Sequence, residues 1–291
     1  VVMQATTLSR TNSSWGELYG VCCSSCATNE NKLQIAFVFE VEKKIIKHKQ
    51  KQTQMKACLL SLTALVMVIM TKAQTADEII AKHIDAIGGK ETIAKITSVT
   101  IESGTEVMGS EAPTKTYIIN GKAYRNDLDL NGQGLVQVIT DKGGWAINPF
   151  AGGSDPAAMA TEEFNSNADL IYASSPLVGY AANGGKAELV GQEKIGDINA
   201  YKIKYTNKYN VEILYYIDPA TSYIILITKK ANVMGQEVTV NTTLSNYQKT
   251  DFGIVMPFTM NIDMGQFAMQ VNTKKVEINK PIDEKIFEMS K

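Results

Sequence analysis

From Ser98 to about position 279, apolar residues recur at every second position, and tight-turn pairs break the runs at short intervals. Val99, Ile101 and Val107 alternate with Thr100, Glu102 and Glu106. Asn120-Gly121, Asn131-Gly132, Lys142-Gly143-Gly144 and Asn183-Gly184-Gly185 supply the turns. A period of two is the mark of a strand with one buried face. Asn-Gly between such runs is a hairpin signal, because both central residues must adopt positive φ. The pattern predicts strands over roughly 98–108, 114–120, 122–130, 133–140, 143–149, 186–193, 197–206, 210–218, 222–231, 236–249, 254–264 and 267–279. Short strands in series make one antiparallel sheet, and a sheet of that size must curl or close.

Two helical segments punctuate this pattern. Thr75-Ala76-Asp77-Glu78 is a capping box, and the helix it opens carries Ile80, Ile84 and Ile87 on one face before Gly88-Gly89. Residues 90–96 read as a second short turn. Residues 156–173 place Phe164, Ala168 and Ile171 at helical spacing, and a loop with Pro176 and Gly179 follows. A helix and a loop therefore interrupt a β chain near its middle, and no linker divides it.

Residues 55–73 follow a different grammar. Met55-Lys56 precedes an apolar run from Ala57 to Met70, then Thr71-Lys72-Ala73. That run has 14 residues, whereas a membrane-spanning helix needs about 20. It fits the core of a cleaved export signal, with the cut before Gln74. Cys58 sits at the wrong end of the run to accept a lipid. Residues 1–54 lack sustained periodicity and are expected to be a non-native or disordered extension that adds nothing to the fold. The mature body is then a single domain over 74–291 in the periplasm.

Composition bounds the chemistry. The first 73 residues hold nine Lys and Arg against four Asp and Glu, and the remainder holds 20 against 26. An acidic body with one Arg, Arg125, is no nucleic-acid surface. All four cysteines, Cys22, Cys23, Cys26 and Cys58, precede residue 74. The body thus has no thiolate nucleophile or disulfide framework. Cys22-Cys23-Ser24-Ser25-Cys26 lacks a fourth ligand at metal spacing. His83 is the one His of the body and reads as a packing or surface residue beside the Ile stripe. Glu162 and Glu163 are adjacent on a helix and point apart. Asp127-Leu128-Asp129-Leu130-Asn131-Gly132 matches the start of a calcium loop, but position twelve is Val138 rather than Glu. It reads as a hairpin with Asp127 and Asp129 facing solvent. No metal, cofactor or catalytic constellation is expected, so the chain does not read as an enzyme.

The sharpest pattern is apolar. Met256, Phe258, Met260, Ile262 and Met264 share one face of a strand, and three of the five are the adaptable Met. An ordinary core strand and a surface that receives apolar ligands both fit.

The order of parts resembles the LolA-like superfamily, which includes the periplasmic carriers of outer-membrane lipoproteins and the outer membrane lipoprotein-sorting proteins. The resemblance spans 76–287 and rests on Ala76–Ile96 (ADEIIAKHIDAIGGKETIAKI), Asp141–Phe150 (DKGGWAINPF) and Ile254–Phe258 (IVMPF). It implies a mainly β (α+β) fold: a strongly curved antiparallel half-barrel of about 11–12 strands, with an N-terminal helix and a helical lid insertion. It implies a carrier of acyl chains with no covalent chemistry and no cofactor. Val99, Ile101, Trp145, Ile147, Phe258, Met260, Ile262 and Met264 would line the cavity, and Phe164, Leu170 and Ile171 would pack from the lid. In such carriers an Arg near a strand turn latches the lid, and Arg125 stands a few residues beyond the matching turn. Arg125 as latch and Arg125 as a solvent-facing residue both stay open. The implied partners are lipid or lipoprotein acyl chains, with inner- and outer-membrane transport partners, for a monomer. The alternative is an envelope sensor of the same fold that binds a protein. Strand count also allows a membrane barrel. The helical insertion and the Lys-containing, non-aromatic end Glu288–Lys291 speak against it.

Overall fold

The computed structural model describes residues 74–289 except 108, 131, 150–152, 234, 235 and 266, together with 40, 43–45 and 47–49. The expected export signal over 55–73 and nearly all of the expected extension lie outside the described residues. Contacts divide the chain at 73/74, and Gln74–Lys291 forms one compact unit.

That unit opens with α1 (Ala76–Ala86) and the short α2 (Lys90–Ile93). The capping box at α1 is complete: Thr75 Oγ1 accepts from the Glu78 N–H, and the Glu78 carboxylate accepts from the Thr75 N–H. Gly88 and Gly89 end the helix at positive φ of 130° and 81°. A side chain at Gly88 would also press on Gly253 and Ile254. The buried stripe is wider than the Ile spacing predicts, and comprises Ile79, Ile80, His83 and Ile87. Each fully buried Ile contributes about 1.5–3 kcal/mol.

Strands then run in series. The first arm is β1 (Ser98–Val107), β2 (Ser110–Ile119), β3 (Ala123–Leu130), β4 (Gln133–Thr140), β5 (Gly143–Asn148) and β6 (Gly153–Ala158). After α3 (Thr161–Asn167) and a 3₁₀ turn (Ala168–Ile171) come β7 (Lys186–Ile195), β8 (Ile198–Thr206), β9 (Glu212–Ile217) and β10 (Ile224–Val233). The chain closes with β11 (Gln236–Lys249), β12 (Val255–Asp263), β13 (Ala268–Ile278) and a 3₁₀ turn (Glu284–Phe287). Among the described residues these strands make one antiparallel sheet in the order β6-β5-β4-β3-β2-β1-β13-β12-β11-β10-β9-β8-β7. Every pairing joins neighbours in sequence except β1 with β13, which brings the two arms together.

Two strands differ from the sequence expectation. β6 lies outside the expected strands, and its last three residues fall in the segment 156–173 read as helical; it is an edge strand, where Pro156 costs no ladder bond. β2 begins at Ser110 and runs through Pro113, which sits opposite Gly104. The Asp127–Gly132 segment is the expected hairpin: Asp127 pairs with Arg125, and Asp129 accepts from the Gly132 N–H at 2.8 Å.

The sheet is open, since β6 and β7 do not pair, and it is strongly curled. Lys229 on β10 holds Asn167, while Gly121, between β2 and β3, holds Ile171. A 3₁₀ stretch of four residues advances only about 8 Å. Flat, the strands from β10 to β2 would extend over about 24 Å at the usual strand spacing. Both contacts form together only because the two arms bend toward each other around the insertion.

Candidate functional site

Strand pairing assigns every side chain to a face, because successive residues alternate. One row across the first arm runs Val99, Ile118, Tyr124, Ile139, Gly144. The row beside it runs Thr100, Tyr117, Arg125, Val138, Trp145 and faces the other way. Val99 packs with Ile87, Ile93, Ile96 and Ile254, beneath the helices. Its face is therefore the concave one.

The proposed lining residues thus divide. Trp145 and Ile147 lie on the convex face, in a cluster with Ala123, Val136, Val138 and Phe287. The C-terminal segment covers that cluster. Trp145 Nε1 donates to the Phe287 carbonyl at 2.9 Å, and Lys122 pairs with Glu284 at 2.7 Å. Arg125 belongs to the same face. Its guanidinium donates to the Ile286 carbonyl at 2.5 Å, pairs with Asp127 at 2.8 Å and lies over the Trp145 ring. These contacts fasten the C-terminal segment, not the helical insertion.

Val99 is 1% exposed and Ile101 is half-buried against the same cluster, so that end of the concave face is already filled. Farther along the strands the concave face is less covered. One row reads Tyr215, Ile227, Thr242, Ile262, Met269, Val107. The next reads Leu244, Met260, Val271, Thr105, Ala112. Ile262, Met260, Met269, Val271 and Val107 are each half-buried, as are Phe258 and Met264. The structure therefore brings Phe258, Met260 and Ile262 together with Met269 and Val271, which sequence reasoning missed. Both alternate with Ala268, Gln270 and Asn272, so that period could have found them; a register shift at Lys274 then moves the concave parity to Val276 and Ile278.

The insertion crosses this face. Phe164 meets Tyr209 edge-on at 5.6 Å, Ile171 is 5% exposed, Leu170 is half-buried, and Leu177 is fully buried in the core with Ile79 and Ile80. Polar fastenings add to this apolar burial. Asn207 Nδ2 donates to the Asn165 carbonyl at 3.0 Å. Lys229 Nζ donates to the Ser166 carbonyl at 3.3 Å and to Asn167 Oδ1 at 3.0 Å. At the other arm, the Gly121 N–H donates to the Ile171 carbonyl and the Ala173 N–H to Asn120 Oδ1.

Lys229 and Asp169 are the unusual groups here. Lys229 stands between Ile213 and Val240 on the concave face. Burial pulls its ammonium below the ordinary range, and the Asp169 charge offsets this in part. Burial likewise pushes the Asp169 carboxyl up, against hydrogen bonds from Asn207 and Tyr205. Asp169 Oδ2 is buried without a hydrogen-bond partner. Tyr205 and Tyr215 are pushed well above the usual phenol range, by burial first and then by Asp169. His83 is 2% exposed, and its Nδ1 is bonded to the Ser222 carbonyl at 2.9 Å. It belongs to the core under α1.

No family model and no curated protein matches the sequence. Solved structures similar to this chain include a DUF1329 family protein from Desulfovibrio piger, at 13% identity and a TM-score of 0.49, covering 73% of this chain and 97% of that one. An outer membrane lipoprotein-sorting protein domain from Vibrio parahaemolyticus is similar at 13% identity and a TM-score of 0.49, covering 72% and 94%. A LolA superfamily protein from Nitrosomonas europaea is similar at 13% identity and a TM-score of 0.49, covering 74% and 98%.

Proposed function

We propose that this protein binds acyl chains, of a lipid or of a lipid-modified protein, on the concave face of its half-barrel and carries them through the periplasm. The observation that supports this reading is the half-covered apolar surface of Phe258, Met260, Ile262, Met269 and Val271 on the face that the insertion crosses, α3 of which is held by hydrogen bonds from Asn207 and Lys229. Such bonds contribute only about 0.5–1.5 kcal/mol each and exchange readily with water. Acyl chains gain about 0.8 kcal/mol per buried CH₂. Ten buried groups give a gross gain of about 8 kcal/mol, equivalent to a Kd near 1 μM before the cost of opening the lid. Thioether side chains suit chains of varied length and shape. The function needs neither nucleophile nor cofactor, which fits a body without cysteine.

Lipids extracted from protein purified from its native host, identified by mass spectrometry, test the reading. Stoichiometric acyl lipid is the expected result. A stable copurifying protein with no lipid would instead favour the sensor of the same fold.

A further inference from the structure

The two concave rows described above carry no charged side chain, and Lys229 stands beside them. Its neighbours across the sheet are Ile213 and Val240, and along its own strand Ile227 and Ala231 flank it on the same face. An ammonium here is costly unless it is compensated. Among the described residues it makes no ion pair; its partners are two neutral oxygens of the insertion, the Ser166 carbonyl and Asn167 Oδ1. Asp169 contributes at longer range, and Lys208 stands close enough to act on Asp169 as well. The one carboxylate is thus shared between two cations. All three groups that occupy or offset Lys229 sit on the insertion. Lifting that segment exposes an uncompensated cation beside the row Ile227, Thr242, Ile262, Met269.

We propose that Lys229 receives the anionic head of a single-chain amphiphile, a carboxylate or a phosphate, while the chain lies along the adjoining apolar rows. The insertion's oxygens then act as internal stand-ins that the head displaces on binding. This rests on the acyl-binding reading and adds the head group to it. A charged hydrogen bond to an oxyanion is stronger than one to a neutral carbonyl, so the exchange favours the ligand.

The test is displacement of a neutral naphthylamine probe from the full-length protein in mildly alkaline buffer, below micelle formation. Oleate is compared with methyl oleate, and oleoyl lysophosphatidate with monoolein; the two pairs separate carboxylate from phosphate. In at least one pair the charged member should displace the probe at about tenfold lower concentration. Lys229→Gln keeps a donor for the lid without the charge, and should remove that preference while leaving the neutral member unchanged. Lys229→Arg should keep it. Equal displacement by charged and neutral members, or a preference that survives in Lys229→Gln, would overturn the inference while leaving acyl binding intact. Displacement by none of the four would overturn the acyl-binding reading and this inference with it.

Discussion

Lys229 and Trp145 show where single residues escape a sequence reading. In the run Ile227 to Lys230, two adjacent lysines look like one solvated face. Alternation separates them: Lys230 points out and pairs with Glu237, while Lys229 shares its face with Ile227. Trp145 was readable as an inward anchor because one apolar face per strand is the usual rule. Here the C-terminal segment gives the convex face a core of its own, and nothing in the local sequence of β5 announces that cover; Ile282, Ile286 and Phe287 supply it, and Phe287 lies 142 positions after Trp145.

 Arg125 follows the same logic, since its partners are Asp127, Trp145 and the Ile286 carbonyl. Arg125→Ala should lower stability by about 1–2 kcal/mol through the lost charged hydrogen bond, read as a shift in the urea midpoint, with acyl-probe affinity unchanged. A loss of affinity at constant stability would place Arg125 with the lid after all. His83 carries a pH prediction. Burial lowers its folded-state pKa below the ordinary 6.5, so its neutral form supports the fold above that value. That support is lost as pH falls below 6.5, because the unfolded chain takes up the proton first. The thermal midpoint should therefore drop on acidification through this window, and His83→Leu should flatten that part of the profile.

At the scale of elements, α1 and most hairpins were legible because their signals are local. The capping box needs four residues, and an Asn-Gly turn needs two. β6 and the first residues of β2 were not: each contains a proline, Pro156 and Pro113, and neither stretch shows the strand period. Whether a Pro is tolerated depends on which neighbour its missing N–H would have met, and that is a property of the sheet. The insertion was read as a helix at 156–173. It is a seven-residue α3 followed by a 3₁₀ turn, so its hold on the sheet comes from individual fastenings rather than a long helical face. Asp169 is the strained member of that set. Its folded-state pKa is raised above the ordinary 3.8, so ionisation above that value costs stability in the folded state. Asp169→Asn should raise the thermal midpoint at neutral pH, at about 2–4 °C per kcal/mol for a domain of this size. The gain should shrink as pH is lowered through the raised folded-state value and vanish below 3.8, where the wild-type carboxyl is protonated in both states. A midpoint that falls at neutral pH would show that the carboxylate holds the lid instead.

For the whole molecule, the period of two and the spacing of turns were enough to anticipate one curved antiparallel sheet. They could not say which parity faces the concave side, because that depends on β1 pairing with β13 across the length of the chain. That one long-range pairing joins the arms, and the insertion spans them, so the concave face exists only in the assembled sheet. The central claim is that this face receives acyl chains. Saturable binding of a fluorescent acyl probe to the purified protein, compared across two substitutions, tests it most directly. Ile262→Asp puts a charge among Met260, Met269 and Val271, and should weaken binding at least about tenfold with the circular dichroism spectrum preserved. Val190→Asp alters a side chain that is 47% exposed on the edge strand β7, and should leave binding unchanged. No saturable binding by the wild-type protein, or equal binding by all three, would contradict the account.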